Sequence, residues 1–387
     1  PDVPLPPPRG SRPKPEKPSP DFPLFPHAAG VWAKKIRGKM HYFGPWADPG
    51  GALDKYVKEK DALHAGRKPR EESDGVTVKE LCNRFLNAKQ ALVDSGELTR
   101  RSWDDYKAAC ALAVSHFGKG RLVSDLDPDD FAGLRKKLAR KWGPVTLGNV
   151  IQRIRVAFKF AWDGGLIDRP VRYGQSFKRP SRKVVRIDRA QKGPRLFTAE
   201  EVRRLADAAG VQMKAMILLG ANAGFGNADC GRLPIAAADL DAGVIDFPRP
   251  KTGIPRRCVL WPETVAAIRE TLAARPTPKN AADAGLVFIT KYGLPWAKDT
   301  ADQTLAKEFG KLLRKLKING RKGLGFYTLR HTFRTIADAA KDRPAADYIM
   351  GHEVPHMSSV YRETIGDDRL RAVAEHVRAW LYPEAVQ

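Results

Sequence analysis

Tyr327-Thr328-Leu329-Arg330-His331-Thr332-Phe333-Arg334 is followed by Met350-Gly351-His352 and, nine residues beyond that histidine, by Tyr361. This order suits phosphoryl transfer to a protein nucleophile. A phosphodiester under attack spreads negative charge over its non-bridging oxygens, and the guanidinium of Arg330 can meet two of them with parallel hydrogen bonds. A tyrosine hydroxyl can act as a covalent nucleophile, and the aryl phosphate it forms keeps the energy of the broken bond for resealing. Tyr361 is the candidate nucleophile. His352 can donate to a phosphate oxygen or hold the nucleophile's surroundings in shape, and the glycine before it permits a helix end or a close backbone approach.

The stretch resembles the catalytic end of the tyrosine recombinases, the phage-integrase family, in which an arginine, a Gly-His step and a tyrosine stand in this order and at this separation. Family members usually carry histidine or lysine three residues before that arginine. Here the position is Tyr327, whose phenol can also donate a hydrogen bond. Upstream, the apolar helical run Met213-Lys214-Ala215-Met216-Ile217-Leu218-Leu219 leads to Ala223-Gly224-Phe225-Gly226-Asn227-Ala228-Asp229, where the family typically shows Thr-Gly-Leu-Arg and an acidic residue three positions on. Gly224 and Asp229 fit, but Gly226 falls where the first catalytic arginine is expected. Removing one preorganised donor to developing charge commonly costs on the order of 10²–10³ in rate. Arg232, Arg256 and Arg257 are the candidate substitutes nearest in sequence. Lys251-Thr252-Gly253 lies in a turn between two short apolar stretches, and the resemblance implies that Lys251 is the hairpin lysine that protonates the leaving 5′ oxygen.

Composition agrees. The 387 residues carry 68 Lys+Arg against 44 Asp+Glu, a formal charge of +24, which favours a polyanionic partner. The excess is concentrated in residues 100–195, where 23 basic residues face 9 acidic ones. A basic middle is what a DNA clamp needs. Apolar runs stay well short of the roughly 20 residues of a membrane span, and the chain opens without a signal-peptide pattern, so it reads as soluble and cytoplasmic. Cys82, Cys110, Cys230 and Cys258 stand apart, without metal-site spacing or disulfide-scaffold density, and are expected to be reduced core residues. Neither metal nor cofactor is called for.

The expected fold class is mainly α with small β elements, in successive parts. Residues 1–30 are a proline-rich extended arm, with 11 of the chain's 30 prolines before residue 27. Residues 31–74 form a small β-hairpin and helix, since Val31 to Trp46 alternates apolar and basic residues around a glycine-containing turn and Gly51 to His64 is helical in pattern. This resembles the arm-binding domains of some phage integrases. Residues 75–168 carry four helical stretches, Val78 to Ser95, Arg100 to Phe117, Asp127 to Trp142 and Thr146 to Asp163, and resemble the family's core-binding domain. Arg153, Arg155 and Lys159 on the last of these are candidate DNA contacts. Residues 169–195 form a basic linker, ten Lys+Arg against Asp188 alone, rich in turn formers and expected to cross the DNA backbone through Lys178, Arg179, Arg182 and Lys183. Residues 196–387 form the catalytic domain, opening on a helix capped by Thr198. Within it Val287 to Thr290 reads as a short strand, Arg334 as a DNA-backbone contact, and Arg371 to Leu381 as a helix for packing on a neighbouring protomer.

The resemblance implies a site-specific recombinase or integrase that cleaves and rejoins double-stranded DNA through a 3′-phosphotyrosyl link at Tyr361, with four protomers on two duplexes. Gly226 keeps open a DNA-binding protein that has the fold with impaired chemistry, and related chemistry without synapsis keeps open a type IB topoisomerase.

Overall fold

The computed structural model describes residues 14–64, 75–298, 304–318, 320–321, 323–352 and 364–383. They divide into two compact units, one built on residues up to 91, 106–142 and 146–179, the other on 92–105, 143–145 and from 180 onward.

The first unit holds two hydrophobic cores. In the smaller, strands β1 (Phe25–His27), β2 (Val31–Ile36) and β3 (Lys39–Pro45) form an antiparallel sheet in that order. Arg37 and Gly38, both at positive φ, make the two-residue turn between β2 and β3, the geometry that matches the twist of a tight hairpin. Helix α1 (Pro49–His64) covers the sheet, and Phe22, Trp32, Phe43 and Tyr56 are buried together. Part of the proline-rich arm is thus a strand of this sheet.

The larger core is helical: α2 (Val78–Asp94), α3 (Arg100–Phe117), α4 (Pro128–Ala139) and α5 (Pro144–Asp163). Asp127 caps α4 with a reciprocal capping box to Asp130, and Pro128 takes the first turn, where its missing N–H costs nothing. Phe117, Phe158 and Phe177 pack around Phe131 with ring centroids 5.0–5.6 Å away. Cys82 and Cys110 are free and buried here, as Cys230 and Cys258 are in the second unit.

The stretch expected as a turn-rich linker contains a helix, α6 (Arg182–Lys192), capped by the Ser181 hydroxyl and burying none of its residues. Then come α7 (Ala199–Asp207), capped by Thr198 as expected and here through a capping box with Glu201, α8 (Val211–Ala223) and the short α9 (Asn227–Gly231). Strands β4 (Ala238–Asp239), β5 (Val244–Asp246) and β6 (Arg257–Val259) form a second antiparallel sheet. Helices α10 (Pro262–Ala273), α11 (Thr304–Lys315), α12 (Thr328–Ala337), α13 (Arg343–Met350) and α14 (Asp367–Leu381) follow.

Helix α8 is apolar on nearly every face and buried, the pattern of a central helix. It packs against α7, α10, α12 and α14. A Cβ added at Gly220 would stand 2.9 Å from the Leu329 Cβ, so α8 and α12 cross in close contact.

One further expectation is corrected. Val287, Phe288 and Ile289 are buried, but the segment pairs as isolated bridges, Pro234 to Leu286 and Ile289 to Pro295, and is not a strand. Its apolar run is explained by burial alone. The apolar face of the C-terminal helix α14 packs within its own unit, with Leu370, Val373, Ala374, Val377 and Leu381 buried, while Arg371, Ala372, Glu375 and His376 stay exposed. Trp261 Nε1 donates to the Ala374 carbonyl at 2.9 Å, and Arg378 pairs with Glu263 at 2.7 Å.

Candidate active site

Arg330 sits in the first turn of α12 with its guanidinium buried. Nη1 donates to the Gly224 carbonyl and Nη2 to the Met350 carbonyl, both at 2.7 Å. These acceptors lie at the C-terminal ends of α8 and α13, where helices leave carbonyls unsatisfied and where the helix dipole favours a cation. The side chain is therefore set by three helices at once. Burial, and next the charge of Arg249, push its pKa down to about 10, which leaves it protonated at neutral pH.

Helix α13 ends on Gly351, at φ +58, and this left-handed C-cap turns the chain sharply toward His352. The His352 backbone N–H donates to the Asp347 carbonyl at 2.9 Å. Its ring Nδ1 lies 3.3 Å from Asp347 Oδ1. An ionised carboxylate only accepts, so Nδ1 carries the proton and Nε2 is left for the site. Burial, and then the Arg330 charge, lower the imidazole pKa below its ordinary value despite the Asp347 contact. Asp347 also pairs with Arg334, so the side chain expected on the DNA backbone braces the partner of His352.

Gly226 begins α9, and its N–H donates to Asp229 Oδ2 at 2.6 Å. The ring of Tyr327 lies over it: a Cβ added at Gly226 would meet Tyr327 Cδ2 and Cε2 at 3.1 Å. The same ring meets His331, edge to face at 5.4 Å between centroids.

Of the three arginines considered as substitutes for the missing side chain, Arg256 is linked to Gly226 through Asp229, which binds both. It is buried, with Nη1 3.2 Å from Asp229 Oδ1, Nε donating to the Phe247 carbonyl at 2.9 Å, and its guanidinium 4.0 Å above the Phe225 ring centroid. Its Nη2 is buried without a hydrogen-bond partner among the described residues. Arg257 is clasped by Asp246 and, at 2.6 and 2.8 Å, by Asp367. Arg232 is exposed at the end of α9.

Lys251 is exposed at the tip of the β5–β6 hairpin. The ladder continues beyond the strands, with Phe247 N–H donating to Arg256 and Arg249 N–H to Ile254 at 2.9 Å, and the turn closes through Thr252 and Gly253 N–H groups on the Arg249 carbonyl. Arg249 was not singled out by sequence. No local pattern marks it, because what it touches, Gly351, is about a hundred residues away in the chain.

Tyr361 lies outside the described residues. In the first unit, Arg155 donates to the Phe177 carbonyl at 3.0 Å and stacks on Tyr173, Lys159 pairs with Asp163, and Arg179 donates to Asn149 at 3.0 Å. Arg153 is half-exposed on α5, and Lys178, like Arg182 and Lys183 of α6 in the second unit, is exposed.

Residues 195–365 match the family model described as the phage integrase family. A search of curated proteins returns no match. Among solved structures the chain resembles the Tn1549 transposon integrase in complex with a circular intermediate DNA, with TM-score 0.55 and 19% identity over 76% of this chain and 98% of that one. It also resembles lambda integrase as a dimer bound to a COC′ core site, with TM-score 0.54 and 14% identity over 90% and 96% of the two chains. The tetramer of that enzyme bound to a Holliday junction matches at TM-score 0.51 and 16% identity over 90% and 99%. At these identities the likeness is one of fold, a helical framework with small antiparallel sheets. Residues 195–365 thus carry the sequence pattern of the phage integrase family, and the chain has the fold of the integrase structures it resembles.

Proposed function

We propose that this protein is a site-specific recombinase that cleaves and rejoins double-stranded DNA through a 3′-phosphotyrosyl intermediate at Tyr361. The observation that carries the reading is the placement of Arg330. A guanidinium held by two helix-end carbonyls, beside an imidazole oriented by a carboxylate, is preorganised for an anion whose charge grows during reaction.

In the forward step the Tyr361 oxygen bonds to phosphorus as the bond from phosphorus to the 5′ oxygen breaks. The phenolic proton passes to Nε2 of His352, which is neutral at pH 7, and Asp347 stabilises the imidazolium that results. Lys251 gives a proton to the departing 5′ oxygen. Arg330 balances the charge on the non-bridging oxygens. Resealing is the reverse, with a 5′ hydroxyl as nucleophile and Tyr361 as leaving group.

Double-stranded DNA as substrate is supported by the charge of +24 and by the structures of like fold that were solved on DNA. Four protomers on two duplexes would be its synaptic form, as the lambda integrase tetramer on a Holliday junction suggests. Arg153, Lys178, Arg179, Arg182 and Lys183 would contribute backbone contacts.

One observation favours a second reading. Gly226 supplies no side chain at the position where the family carries an arginine, and the Tyr327 ring lies against it. That suits a DNA-binding protein with weakened chemistry. Incubation with a pool of nicked suicide duplexes, followed by denaturing capture of protein bearing covalent DNA, separates the two. Adduct recovery supports the recombinase, and sequence-selective binding without adduct supports the alternative.

A further inference from the structure

Arg249 stands where two parts of the site meet. Its backbone is locked into the frame of the Lys251 turn, donating to Ile254 at 2.9 Å and accepting from Thr252 and Gly253 at 3.0 and 2.8 Å. Its Cβ is 2.9 Å, and its Cδ 3.4 Å, from the point where a Cβ on Gly351 would stand. Gly351 in turn lies between Met350, whose carbonyl receives Arg330, and His352. The stem of Arg249 therefore runs past the step that joins the acceptor of Arg330 to His352.

The half-buried Arg249 side chain makes no hydrogen bond or ion pair with any described residue. Its charge is nonetheless felt by both neighbours. It opposes protonation of Arg330 more than any other charge does, and it lowers the pKa of His352 together with Arg330. Cation-bearing groups that repel one another at close range are unfavourable in the free protein, and a bound anion relieves the repulsion. Arg256 is a poorer partner for such an anion, being buried and already paired with Asp229. Arg257 is clasped by two carboxylates.

We propose that Arg249 is a phosphate-contacting catalytic residue, which brings in from the Lys251 hairpin the second guanidinium that position 226 lacks. This rests on the strand-cleavage reading above. Arg330 and Arg249 would take different non-bridging oxygens of the attacked phosphodiester, one from the helix ends and one from the hairpin.

The test compares the parent with Arg249→Ala and Arg249→Lys on suicide duplexes whose scissile linkage is either the natural phosphodiester or a methylphosphonate, which lacks one anionic oxygen. Arg249→Ala should slow adduct formation on the phosphodiester by about 10² or more, the scale of a lost oxyanion donor. Arg249→Lys should recover part of that rate, and the penalty of the alanine variant should shrink to less than about tenfold on the methylphosphonate, where there is less charge to neutralise. Equal penalties on the two linkages, or no penalty on the phosphodiester, would overturn the assignment. If the parent forms no adduct, the cleavage reading fails by itself, and thermal stabilisation by inorganic phosphate decides Arg249. Stabilisation of the parent but not of Arg249→Ala upholds the anion site, and equal responses, or none, overturn it.

Discussion

The ring of Tyr327 rests on Gly226, with two of its carbons 3.1 Å from where a Cβ would be. These are the two positions at which the chain departs from the family pattern, and in space they are one departure. The Cβ of an arginine at 226 would start 3.1 Å from the tyrosine ring and equally close to Asp229 Oδ2, so the ring must give way. The backbone is no obstacle, since φ at Gly226 is −97°, open to any residue.

Gly226→Arg alone is therefore expected to leave cleavage level or lower it, because the new side chain must displace the Tyr327 ring. Gly226→Arg combined with Tyr327→His, which removes the crowding, should cleave faster than either single variant. Single-turnover adduct formation measures the coupling, and strict additivity would mean that the two positions do not share the space.

Asp229 ties Gly226 to Arg256, accepting the backbone N–H with one oxygen and the buried guanidinium with the other. Asp229→Ala would leave Arg256 buried and unpaired, a change that typically costs about 3–5 kcal/mol. Denaturant unfolding should show a free energy lower by that amount, as a lower midpoint at unchanged slope. A cost under about 1 kcal/mol, as for an exposed pair, would mean that solvent reaches Arg256.

The acid limb of the cleavage profile should come from His352. Its pKa in the folded protein lies below the ordinary 6.5, so the proton-accepting form persists below that pH and is lost only on further acidification. The rate should hold from neutral pH down past 6.5 and fall beneath it, and His352→Gln should remove this limb. Stability moves with it: as pH falls below 6.5 the unfolded chain takes up the proton first, so the contribution of neutral His352 declines from there downward. A limb that persists in His352→Gln would assign the titration elsewhere.

Helix α6 offers a salt test. Reversing charge at Arg182 and Lys183, together with Arg179, should flatten the dependence of DNA affinity on salt, because each phosphate that these side chains no longer neutralise keeps about one counterion that binding would have released. An unchanged slope would place the duplex away from this segment.

Much of this architecture was legible in local sequence. The helices between residues 78 and 163 follow apolar periodicity and cap residues such as Asp127 and Thr198, and their bounds fall within about three residues of expectation. Helix α6 escaped notice because its basic density dominates, although Ser181 is a cap and Val184 and Ile187 have helical spacing. The 287–290 segment misled because a buried apolar run looks alike whether or not it pairs. In the site, Arg330 and His352 were marked by spacing. The ring of Tyr327 on Gly226, the brace of Asp347 on His352 and the approach of Arg249 to Gly351 were not. The first and last join residues about a hundred positions apart, which no local pattern records.

The central claim is that Tyr361 carries the DNA, and locating the covalent link tests it most directly. Trapped adduct is digested with protease and nuclease, and the nucleotide-bearing peptide is sequenced by mass spectrometry. The expected result is a phosphate-linked nucleotide on Tyr361 in the parent and no adduct in Tyr361→Phe, whose DNA affinity stays within a few-fold because only the hydroxyl is lost. A nucleotide mapped to any other residue, or adduct formed undiminished by Tyr361→Phe, would contradict the account.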